Sequence, residues 1–157
     1  MDFVPARCRT EGVRFMSLDV EALRGSFQLV VERSPNVVHR FYEVLFERYP
    51  AARSLFGRNV TSKQEEMLTG ALVAVMEHLD DASWLKSQLS ALGAKHVEYG
   101  VADHMYPWVG ECLVATLKEV AGAQWTPRIE QAWLEAFGAI SALMQEGGRA
   151  RVSAAAR

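Results

Sequence analysis

The chain has 157 residues and a mass of 17.5 kDa, a size that a single domain fills. Half of the residues are hydrophobic and 23% are charged, with a formal net charge of −2 and a pI near 6.1. These values exclude a disordered chain and a basic nucleic-acid module, and the length argues against a multidomain enzyme.

Residues 1–16 hold Pro5, Gly12, Arg7, Arg9 and Arg14 without a helical period, and are expected to form a disordered extension. Ser17 offers a helix cap. Leu23, Phe27, Val30 and Val31 then make one apolar helical stripe. Ser34 and Pro35 mark a break, with the proline at a first helical position. Val37, Val38, Phe41, Leu45 and Phe46 supply the next apolar face, and Pro50 ends that helix. A short segment from Ala51 to Phe56 leads to a loop at Gly57, Arg58 and Asn59. Thr61 or Ser62 caps a long helix that ends near Leu79. Asp80, Asp81 and Ser83 open another, expected to stop near Gly93. A short stretch from Lys95 to Tyr99 ends at Gly100, and a further helix runs from about Ala102 to just before Gly122. Thr126 and Pro127 open the last helix, with Trp133, Phe137, Ile140 and Met144 on one face. The segment 148–157 reads as a flexible tail.

No alternating strand pattern occurs, so the expected class is all-α, about seven helices around one core. The longest apolar run, Ala71 to Met76, falls far short of the roughly 18–20 residues that a membrane helix needs. No secretory signal is evident, and Cys8 and Cys112 are read as reduced thiols of a cytoplasmic protein. Phosphate-binding glycine loops, CxxC pairs, HExxH and GxSxG are all absent, so any chemistry rests on isolated side chains or a bound cofactor.

Several of those side chains have a plain structural reading when taken singly. His96, in LGAKHVEYG, suits a helix end through the dipole. Tyr42, in RFYEVLF, needs a partner for a buried hydroxyl, and a backbone carbonyl would serve. Gln64 and Leu68 share a helix face at the edge of an apolar stripe. Phe56 after Pro50 could plug a corner. His39 and His104 have no spacing partner and read as surface residues. His78 ends a helix. Met67 reads as core.

Together these positions resemble a globin. The segments are FYEVLFERYPAARSLF at 41–56, QEEML at 64–68, AKHVEYGVADHMYPWVGECLVATLKEV at 94–120 and QAWLEAFGAIS at 131–141. They are most similar to single-domain bacterial haemoglobins and to the globin part of flavohaemoglobins, over roughly residues 18–145. The resemblance implies a globin domain at 17–147 with six to eight helices around a haem b pocket. It implies His96 as the proximal iron ligand, Phe56 packed on the porphyrin, and Tyr42 and Gln64 as distal hydrogen-bonding residues. Leu68 would be the apolar distal residue and Tyr106 the tyrosine beside the proximal histidine. Lys63 or Arg58 is expected at the haem propionates.

The implied function is reversible binding of oxygen, and of NO or CO, at a five-coordinate iron. Tyr42 and Gln64 as donors would make oxygen binding tight and its release slow. One alternative is nitric-oxide dioxygenation, which needs electrons from a separate reductase. Another is a gas sensor, read out by a partner. A monomer or a homodimer is compatible with the exposed apolar residues expected on the last two helices. The proximal side departs from the flavohaemoglobin pattern. The position of that family's glutamate falls on Gly148. Glu146, about 200° around the helix, should point elsewhere.

Overall fold

The computed structural model describes residues 18–56 and 62–156. The expected N-terminal extension, Ser17, Cys8 and the loop at Gly57, Arg58 and Asn59 lie outside the described residues. Within them the chain forms six α-helices and three short 3-10 turns, with no strand.

Helix α1 (Val20–Arg33) starts at Asp19, whose Oδ1 accepts the Ala22 amide hydrogen at 3.1 Å. This cap satisfies one of the amides that a helix start leaves unpaired. Both Asp19 oxygens also accept from the Arg128 guanidinium, at 2.6 and 3.0 Å, which ties the start of the first helix to the start of the last. Leu23 and Val30 are fully buried, while Val31 sits exposed at the stripe's edge. Pro35 falls in the turn before α2 (Val37–Arg48) rather than inside the helix. Helix α2 buries Val37, Val38, Phe41, Tyr42, Val44 and Leu45. A 3-10 turn, Pro50–Leu55, follows.

Helix α3 (Ser62–Glu77) buries only Val75 and Met76, near its end. Helix α4 (Ala82–Glu98) is capped by Asp81, whose Oδ1 accepts from the Trp84 amide at 3.0 Å. Between α3 and α4 the His78 and Trp84 rings stack, with centroids 3.7 Å apart. Gly100 takes φ +87°, the left-handed conformation that lets the chain leave α4. A 3-10 turn (Asp103–Met105) leads into α5 (Tyr106–Ala121), the central helix, which packs on α1, α2 and α6. It buries Cys112 and Thr116 completely. Helix α6 (Pro127–Ala155) begins at Thr126, whose Oγ1 accepts from the Ile129 amide. In the core the Trp133 indole donates to Ser26 Oγ at 2.9 Å, and Ser26 donates to the Ala22 carbonyl at 2.6 Å.

Two helices run past their expected ends, for one physical reason. Helix α4 does not stop at Gly93, and α6 does not give way to a flexible tail at 148 but continues to Ala155. These two helices make the most extensive contact in the fold. A Cβ on Gly93 would collide with the Met144 carbonyl, and one on Gly147 with the Ser90 carbonyl. The glycines here permit close helix approach instead of ending helices. Beyond the crossing, Arg151 pairs with Glu98 at 2.9 Å and Arg149 with Asp103 at 3.9 Å. No helix among the described residues is long and apolar enough to cross a membrane.

Candidate functional site

One group of the candidate-site residues comes from α2, the Pro50–Leu55 turn and the first turns of α3. On α2, apolar residues at 37, 38, 41, 44 and 45 face the core, which carries Tyr42 inward with them. The Tyr42 ring meets Phe41 edge-on at 5.2 Å, stacks on Phe46 at 6.0 Å and meets Phe56 edge-on at 5.5 Å. Phe46 and Phe56 touch each other at 5.7 Å, also edge-on. The turn opened by Pro50 is what returns the chain so that Phe56 reaches these rings. Gln64 Nε2 donates to the Tyr42 hydroxyl at 3.3 Å. Leu68, one turn further along α3, is half-buried against the core.

Burial pushes the Tyr42 hydroxyl above the usual tyrosine range, and the nearby Glu65 charge adds to the shift. The group therefore stays protonated and able to donate.

Glu65 does not simply face solvent. It accepts from His39 Nδ1 at 2.7 Å, while His39 Nε2 lies 3.4 Å from Glu43. The hydrogen bond to Glu65, then its charge, raise the His39 imidazole above its ordinary value. A cleft of about 520 Å³ lies here, lined by His39, Tyr42, Glu43, Phe46, Glu47, Arg53 and Glu65. The Arg53 guanidinium lies 5.0 Å from the Phe46 ring centre. Sequence reasoning missed the His39 partnership because its main partner is 26 residues away, on another helix.

A second group of candidate-site residues begins on α4. His96, in its last turn, is half-buried, and its Nδ1–H donates to the Leu92 carbonyl at 2.8 Å. That bond leaves Nε2 with its lone pair. Burial lowers the imidazole below its ordinary value, so the ring is neutral near pH 7. A neutral, oriented imidazole with one open nitrogen is the donor that a haem iron takes, so the residues present fit that group. Tyr106, buried at the start of α5, has its ring 6.3 Å from that of His96 at 31°.

A second cleft, of about 440 Å³, is lined by Tyr106, Val97, Val101, Gln145, Gly148 and Val152, with Asp103, Arg149 and Ser153. Gly148 is buried, and a Cβ there would lie 2.8 Å from Val97 Cγ2. Glu146 is exposed, as its angular position on the helix requires. Tyr42, Phe56 and Gln64 are thus brought together, as are His96 and Tyr106. Lys63 is exposed on the first turn of α3.

Residues 39–144 match the Globin family, and the chain belongs to it. It is 32% identical to a flavohemoprotein of Bacillus thuringiensis over 124 residues, which is 78% of this chain and 30% of that protein. It is equally 32% identical to the flavohemoprotein of Bordetella pertussis over 144 residues, 90% of this chain and 36% of that one. The chain thus spans about a third of the length of these relatives. Among solved structures, an engineered carbene transferase from Rhodothermus marinus, whose parent carries the provisional name nitric oxide dioxygenase, superposes with a TM-score of 0.76 at 30% identity. That match covers 88% of this chain and 96% of the other. A bacterial globin of Campylobacter jejuni gives 0.73 at 19% identity, covering 85% and 96%, a likeness of fold.

Proposed function

We propose that the chain is a haem b protein that reversibly binds oxygen and other diatomic gases such as NO and CO. In this reading His96 holds the iron through Nε2. Haem, when bound, supplies an iron with one open position for the gas. Tyr42 and Gln64 place hydrogen-bond donors on the distal side, Phe56 packs on the macrocycle and Leu68 keeps water out. Tyr106 packs beside His96, and Lys63, exposed on the first turn of α3, would pair with a propionate.

The observation that carries this reading is the Gln64–Tyr42 contact, made by a tyrosine whose ring is packed against Phe46 and Phe56. It holds a protonated hydroxyl on a buried ring, where a polar diatomic gains most from a donor.

A second reading, nitric-oxide dioxygenation, is favoured by the flavohemoprotein relatives and the Rhodothermus marinus neighbour. It requires an electron donor, on this chain or another. The proximal side supports it less, because Gly148 provides no carboxylate to strengthen His96 as a ligand.

An absorption spectrum of the purified chain tests the haem reading. A Soret band is expected, and it should vanish in His96→Ala. No Soret band after reconstitution with haem overturns the reading.

A further inference from the structure

Adjacent residues of α3 reach across to α2 in two side-by-side contacts. Gln64 meets the buried Tyr42 hydroxyl, and Glu65 meets His39 at the surface end of the same cleft. On α2, His39 and Tyr42 are three residues apart and share a face. Apart from Leu68, half-buried against the core, the first half of α3 presents mostly exposed side chains. Its buried residues, Val75 and Met76, lie at the far end, and Lys63, Glu66, Thr69 and Gly70 are exposed, with Met67 57% exposed. Of the two contacts, that of Glu65 with His39 is the shorter and is charge-assisted, whereas the Gln64 bond is long at 3.3 Å.

We propose that His39 is a positioning residue for the distal site: by holding Glu65 it fixes the first turns of α3 over α2, which keeps Gln64 on the Tyr42 hydroxyl and narrows the cleft leading to it. This rests on the reading of Tyr42 and Gln64 as the distal pair. The groups facing His39 are Glu43 on its own helix and Glu65 from α3. Glu47 and Arg53 line the same cleft, and Arg40 binds the other oxygen of Glu43 at 3.1 Å.

The carboxylates raise the His39 imidazole above 6.5, so the charged pair is complete below that pH and is lost as pH rises through the raised value. The clamp therefore tightens on acidification and loosens in alkali. Because His39 lies at the surface, the solvent screens much of the pair's charge, and its effect is read on the distal residues rather than on global stability.

The test uses the full haem-loaded chain, with His39→Ala, Glu65→Gln and the double variant, from about pH 5 to above pH 8. Two quantities are measured: hydrogen–deuterium exchange of the segment that begins α3, and the oxygen dissociation rate. At the acid end each single variant should expose α3 to faster exchange. Each should also speed oxygen release about three- to tenfold, the factor expected for losing one ordinary hydrogen bond. The double variant should match the singles, and the wild type should approach them as pH rises. Unchanged exchange and unchanged release in His39→Ala at acid pH overturn the proposal. So does a double variant whose effect is the sum of the two. Tyr42→Phe separates this failure from that of the underlying reading. If Tyr42→Phe alone leaves oxygen release unchanged, the distal reading falls. The exchange data then still decide whether His39 holds α3.

Discussion

The Gln64 side chain donates to the hydroxyl of Tyr42, whose buried ring sits against Phe46 and Phe56. With its lone pair engaged by the amide, the Tyr42 hydroxyl hydrogen is left to point elsewhere. In the proposed reading, a bound gas is what it would meet.

Tyr42→Phe keeps the ring contacts with Phe46 and Phe56 and removes only this donor. Oxygen release should speed by one to two decades, since a hydrogen bond to a charged acceptor is worth about 1.5–3 kcal/mol. Stopped-flow dissociation checks this. Carbon monoxide, which gathers less charge, should respond less.

Gly93→Ala and Gly147→Ala should each destabilise the fold, by about 3 kcal/mol at the upper end of ordinary overpacking. The obstacle is backbone at both positions, the carbonyls of Met144 and Ser90, which cannot swing away as a side chain would. Thermal unfolding should fall by about 6–12 °C for a chain of this length. Gly25→Ala, where a Cβ meets nothing within 4 Å, is the control and should be neutral or slightly stabilising.

Ser26→Ala strands the buried Trp133 indole N–H without its acceptor, and should cost about 1–3 kcal/mol in denaturant unfolding. The double change Ser26→Ala with Trp133→Phe removes donor and acceptor together. Its cost should be less than the sum of the two singles.

Burial pushes the Cys112 thiol up to about 11. The thiolate is the reactive form, so alkylation of the folded protein at this residue should be negligible at neutral pH and should rise only in strong alkali. Peptide mapping after iodoacetamide treatment reads it out. Unfolding the chain should make the same thiol react readily near pH 8.

How far the sequence discloses this molecule depends on the range of each interaction. Helix faces such as Leu23, Phe27 and Val30, and the breaks at Pro50 and Thr126–Pro127, are local signals and appear where expected. The segments around Tyr42, Gln64 and His96 place those residues together through their likeness to globins, and the geometry brings Tyr42 to Gln64. Gly93 and Gly147 mislead when read locally. A glycine is a helix stop in isolation, and only the opposing backbone, more than 50 residues away in the chain, makes it a requirement of the helix interior. His39 is opaque for the same reason: its carboxylate partner on α3 has no fixed spacing that a single chain could reveal.

The close approach of α4 and α6 leaves the two groups of candidate-site residues mechanically unlike. His96 rides on a helix pressed backbone to backbone against its neighbour, with no layer of side chains between them at the crossing to compress. By contrast, the first turns of α3 meet α2 through long polar side chains whose torsions turn cheaply. If haem binds as proposed, a bulkier guest would meet a stiff element behind His96 and a compliant one at α3, so α3 would set the range of molecules admitted while the hold on the iron stayed constant.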